Sequence, residues 1–142
     1  MKTLSRRSAL AATAAFSVAA SARASLAAPA MDMTAHAGTD TTIAPGVVKR
    51  VYGERPSLIP GFKTVALIDF IYQPGGKTPD NVMKNPMVCH LAEGTTLRVV
   101  QNGKEFVAKQ YDVWSCDTGT HESTFNDGKG VAVMRMTWLY PT

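Results

Sequence analysis

The chain has 142 residues, 18% of them charged, and a formal net charge of +4 that comes from its first 30 positions. Lys2, Arg6, Arg7 and Arg23 are four of the fifteen basic residues there, with no acid beside them; removing them leaves eleven basic against eleven acidic residues. That balance leaves nothing to suggest nucleic acid or an anionic membrane surface as partner. The remaining ~110 residues suit one domain with one modest core, and no internal repeat or second domain is visible.

Residues 1–30 read as a cleaved export signal. Lys2, Arg6 and Arg7 make a basic start, Leu10 to Ala20 is apolar and uncharged, and Ala22-Arg23-Ala24 and Ala28-Pro29-Ala30 are candidate cleavage sites. The apolar run is too short to span a membrane. Ser5-Arg6-Arg7-Ser8-Ala9-Leu10 looks like a twin-arginine signal, which carries folded protein to the bacterial periplasm; an ordinary secretory signal with two adjacent arginines is the alternative. Residues 31–45 are polar and small with no apolar period, and read as a flexible leader. Met31, Met33 and His36 could bind copper weakly there, though a solvated tail is the plainer reading.

Residues 46–142 carry the folded domain. Val47 to Tyr52 and Val65 to Tyr72 are β-branched and aromatic runs bounded by Pro and Gly, and predict strands. Asp69 interrupts the second run; it is either solvated or buried with a partner, and solvent is the preferred reading. Pro74-Gly75-Gly76-Lys77-Thr78-Pro79 is a dense turn signal. Met87 to Ala92 and Thr95 to Val100 predict the next strands, divided by Glu93-Gly94. Asn102-Gly103 predicts a type I′ hairpin into Lys104 to Ala108. Tyr111 to Cys116 is a further strand, turned by Asp117-Thr118-Gly119. After a turn at Asn126 to Gly130, the last strand runs from Val131 to Leu139, with Ala132, Met134, Met136 and Trp138 on a wholly apolar, inward face. The total is eight or nine strands and no helix after the signal.

The stretch from Gly75 to Asn126 resembles a small single-domain cupin. That family carries a first motif, G-x5-H-x-H-x3-4-E-x6-G, and a second, G-x5-P-x-G-x2-H-x3-N. Without gaps the first falls on Gly75, Asn81, Met83, Met87 and Gly94, and the second on Tyr111, Asp117, Gly119, Glu122 and Asn126. Gly75, Gly94, Gly119 and Asn126 match, whereas Tyr111 and Asp117 stand where the family has Gly and Pro. The resemblance implies an all-β, double-stranded β-helix (jelly-roll) barrel. It also implies a metal ion on three histidines and a glutamate, but those positions hold Asn81, Met83, Met87 and Glu122. Thioether and carboxamide are poor ligands for first-row divalent ions. No metal and no cofactor is therefore expected.

Glu122 should point into the barrel, where it would serve as a general acid or base or as a polar anchor; a one-residue slip would put His121 inside instead. Asn81, Met83, Met87, Cys89, Met134 and Met136 should line the same mouth, as filler or as a ligand wall. Met83, Met87, Cys89 and Met134 or Met136 are also a candidate soft site for copper. Cys89 and Cys116 read either as a disulfide or as two buried thiols. His90 and His121 should face outward, and Tyr72, Trp114, Phe125 and Trp138 are core, rim or pocket wall. The expected function is an exported cupin that binds a small organic ligand without the usual metal. Proton transfer with Glu122 as acid or base, and an atypical copper or divalent-metal cupin, are the alternatives. A homodimer is plausible, with Val47 to Tyr52 as the exposed edge.

Overall fold

The structure, a computed structural model, describes residues 38–142. The signal expected over residues 1–30, and Met31, Met33 and His36, lie outside them. Alternating apolar positions fold the described chain into strands: β1 (Thr39–Ala44), β2 (Val47–Pro56), β3 (Phe62–Tyr72), β4 (Lys77–Val82), β5 (Met87–Glu93), β6 (Thr96–Gln101), β7 (Lys104–Lys109), β8 (Val113–Cys116), β9 (His121–Phe125) and β10 (Ala132–Pro141). No helix occurs among the described residues, so none there is long and apolar enough to cross a membrane. Ten strands form where eight or nine were expected.

A six-stranded sheet in the order β1-β2-β3-β10-β5-β8 packs on a four-stranded sheet in the order β4-β9-β6-β7, every pair antiparallel. The core lies between them. Ile68 and Tyr72 of β3, Leu91 of β5 and Met136 of β10 meet Leu97 and Val99 of β6 there, each at most 1% exposed. The inward face of β10 is the expected one, with Ala132, Met134 and Met136 all buried.

Three expectations are corrected. Thr39–Ala44, placed in the leader, is a strand. Its register runs from Thr39 opposite Val51 to Ala44 opposite Val47. Its side chains are almost all exposed, so no apolar period betrays it; backbone pairing and the two-pronged Arg50–Asp40 contact (2.7 and 2.8 Å) hold it in place. Consequently β2 is not the sheet edge, because β1 covers it. Asp69, expected in solvent, is 2% exposed. Arg135 grips both its oxygens at 2.8 Å and the Tyr52 hydroxyl donates at 2.8 Å. A buried carboxylate left without such partners would be strongly destabilising. The partner lies 66 positions away and meets Asp69 only because β3 and β10 pair at that register.

The Pro74 to Pro79 turn is shorter than its composition suggests, since β4 begins at Lys77. Pro79 is accommodated because β4 is an edge strand and its pairing with β9 is interrupted between Thr78 and Asn81. Asn126 ties this corner together. Its amide donates to Tyr72 O (3.0 Å) and Gly130 O (2.8 Å), and its side-chain oxygen accepts Gly128 N–H (3.0 Å). Asn126 is thus a structural clamp.

Candidate functional site

A cavity of about 220 Å³ opens between the two sheets at the end where β4 runs into β5. The six-stranded sheet supplies an apolar wall of Phe70, Tyr72, Met87, Met134, Met136 and Trp138. The four-stranded sheet supplies Thr78, Asn81, Glu122 and Thr124, and the connection after β4 closes the rim with Met83, Lys84 and Asn85.

Glu122 points inward and is 3% exposed. It sits on β9, an inner strand of its sheet, with Asn81 of β4 opposite on one side and Gln101 of β6 on the other. One carboxylate oxygen accepts from the Cys116 thiol (3.1 Å), Trp114 Nε1 (3.3 Å) and Gln101 Nε2 (3.4 Å); the other accepts from Thr124 Oγ1 (3.4 Å). Burial pushes the Glu122 carboxyl above its ordinary value, and these donors, the Cys116 thiol first, pull against that shift. Tyr72 and Thr78 extend the polar patch, their hydroxyls 3.4 Å apart, with Thr78 Oγ1 accepting Thr124 N–H at 3.1 Å. Burial likewise pushes the Tyr72 phenol up.

Met83, Met87, Met134 and Met136 gather on the cavity surface around Glu122. Asn81 reaches it from the exposed rim and spends its amide on Pro79 O at 3.0 Å. Cys89 does not reach it. It is wholly buried, and its neighbours Met87 and Met136 supply the cavity wall there instead. The Cys116 hydrogen bond and burial push its thiol up. Both cysteines are free thiols.

Several participants were not singled out from sequence. Cys116 touches Glu122 across the gap between sheets and Gln101 touches it from the neighbouring strand β6, and no spacing in the sequence reveals either pairing. Thr124 was accessible in principle, being two residues beyond Glu122 on the same strand face. Of the four aromatics left open, Tyr72 and Trp138 line the cavity and Trp114 donates to Glu122. Phe125 instead lies under the Arg98 guanidinium, 4.0 Å from the ring centre.

The residues at the family's metal positions do not fit a first-row divalent ion. They offer one carboxylate, two thioethers and a carboxamide already committed to the backbone. Among the described residues no group of three or more His, Cys, Asp or Glu could hold a metal. His121 is exposed and meets Asp80 at 3.0 Å on the surface, and His90 follows inward Cys89 on β5 and so faces away from the cavity.

No protein-family model matches the chain, and none of the curated proteins matches it in sequence. Solved structures do resemble it. An RmlC-like cupin from Shewanella frigidimarina NCIMB 400 superposes with a TM-score of 0.58 at 11% identity, over 74% of this chain and 85% of that one. A predicted oxalate decarboxylase from Thermotoga maritima gives 0.60 at 13%, over 75% and 95%. The domain has the cupin fold. The polyketide cyclase RemF from Streptomyces resistomycificus shares it, at 0.58 and 13% identity over 72% and 73%. At such identities the likeness is one of architecture, and what this cupin domain does must come from its own site.

Proposed function

We propose that this chain is an exported cupin-domain protein that takes up a small organic molecule in its barrel, held without a histidine-bound metal. The observation that carries this reading is the cavity itself: thioether and aromatic walls around a single buried carboxylate, with the polar groups gathered on one side. Pockets of this kind combine apolar contact with a few fixed polar groups that set orientation. At about 220 Å³ the space is smaller than those that hold drug-sized molecules, so the ligand is a compact ring or short chain bearing one hydrogen-bonding group. Lys84 at the rim favours an anionic or polar outer end.

The test is a screen of small hydroxy- and amino-aromatic compounds, read through the methionine methyl signals. A true ligand shifts Met83, Met87, Met134 and Met136 together, and Glu122→Gln weakens it about tenfold or more, the worth of a hydrogen bond to a charged group. Compounds that leave all four methyls unmoved, or that bind the Glu122 variant equally well, would sink the proposal.

A second reading, proton transfer with Glu122 as acid or base, is favoured by the burial-raised carboxyl at the cavity surface. The same variant separates the two: an anchor loses affinity, whereas a base loses turnover and keeps affinity.

A further inference from the structure

All six sulfur atoms of the described residues lie in the barrel core or on its cavity wall. Four of them form a block on three adjacent strands. Met87 of β5 pairs with Cys116 of β8, and Cys89 of β5 pairs with Met136 of β10. All four are at most 4% exposed. Directly opposed side chains on antiparallel strands have Cβ atoms about 4.5–5.5 Å apart, so the four side chains form one contiguous patch, in which the Met136 sulfur accepts from Trp138 Nε1 at 3.5 Å.

The two thiols occupy diagonal positions on neighbouring strands, since Cys89 lies opposite Trp114 and Cys116 opposite Met87. Diagonal neighbours have Cα atoms about 7–8 Å apart. That exceeds the reach of a disulfide unless the backbone moves. It suits a bridging ion, because two metal–sulfur bonds of about 2.3 Å span a wider gap than one sulfur–sulfur bond. Hard and borderline ions find too few ligands here, as shown above, whereas thiolate and thioether select Cu(I).

We propose that Cys89 and Cys116, with the thioethers of Met87 and Met136, form a site for one Cu(I) ion in the inner wall of the cavity. The ion enters through the cavity, which Met87 and Met136 border. Binding breaks two S–H bonds and forms two S–Cu bonds. The Cys116 proton passes to the Glu122 carboxylate that already accepts it at 3.1 Å, the Cys89 proton leaves for solvent by the cavity, and copper stays monovalent, so no oxidant or reductant is required. Gln101 Nε2, 3.3 Å from the Cys116 sulfur, remains a donor to the thiolate. The site does not depend on the small-ligand reading, and each stands or falls by its own assay.

The experiment titrates the full, reduced chain carrying Met31→Leu and Met33→Leu, which removes thioethers beyond the described residues. Ag(I) serves as a redox-inert probe, followed by Cu(I) against a competing chelator. One ion should bind per chain and move the Met87 and Met136 methyl signals. Cys89→Ser and Cys116→Ser should each weaken binding about a hundredfold, and His90→Ala, on the far face, should leave it unchanged. Should either serine variant fail to fold, Met136→Leu, which conserves volume, carries the test with about a tenfold loss. Affinity indifferent to these variants, shifts that spare Met87 and Met136, or thiols found joined as a disulfide in the folded chain would overturn the proposal.

Discussion

Glu122 shows how one residue can be read correctly from a motif and still surprise in its surroundings. Its inward direction follows from the unbroken spacing of Tyr111, Gly119 and Asn126. Its partners do not, because Gln101 comes from the paired strand β6 and Cys116 and Trp114 come from β8 of the other sheet, which meets it only when the sheets close. The net effect has a sign that can be measured. Burial raises the carboxyl above its ordinary 4.5, so the folded state holds that proton more tightly than the unfolded chain does. The resulting stabilisation is full below the unfolded value and is lost as pH rises from about 4.5 toward the higher folded value. Glu122→Gln keeps the shape and removes the titration. The thermal midpoint of the native chain minus that of the variant should therefore fall as pH rises through this window. Asp40 and Asp127, whose carboxyls are held below the ordinary range by Arg50 and Arg98, contribute the opposite slope to both proteins and cancel in the difference. A difference that grows with pH would mean that the donors outweigh burial.

At the scale of elements, the turn into β8 keeps a glycine's backbone without the glycine. Tyr111 stands where the family motif has Gly, and its φ is 73°, in the left-handed region. Its side chain is 76% exposed and its N–H is bonded to Leu91 O at 2.8 Å, so the conformation is set by the backbone and gains little from the ring. A non-glycine residue there costs about 1–2 kcal/mol, while glycine loses more freedom on folding. Tyr111→Gly should accordingly stabilise the domain by roughly 0.5–1 kcal/mol, seen as a higher urea midpoint with an unchanged slope; a lower midpoint would show that the ring packs after all. Gly94 is the contrasting case: a Cβ there would lie 2.9 Å from the Ala132 backbone. These anchor positions, and the alternation of β10, were legible because they depend on local conformation and period. What stayed illegible was whatever depends on pairing between distant elements. The polar strand β1 has no buried face to announce it, and Asp69 looked solvated until β10 delivered Arg135. Cys89 has the inward parity expected of it but lies buried outside the cavity lining, since parity says nothing of depth.

The whole molecule closes late. β10 lies between β3 and β5, and β4 pairs with β9, so the six-stranded sheet waits for β10 and the four-stranded sheet for β9. Such long-range pairing folds slowly compared with local structure. It also fits a route that exports the finished barrel better than one that threads an unfolded chain. Both cysteines of the described barrel are free thiols, so its core closes without a disulfide. The expected twin-arginine signal at Arg6-Arg7 is the matching sequence feature. The decisive change is Arg6→Lys with Arg7→Lys, which keeps the charge but removes the planar guanidinium pair. Under this reading the variant precursor accumulates in the cytoplasm as a folded, protease-resistant barrel, while the native chain is recovered from the periplasm after osmotic shock. Export of the double-lysine chain at the native level would instead assign the segment to the general secretory route. The barrel would then have to assemble, thiols included, on the oxidising side of the membrane.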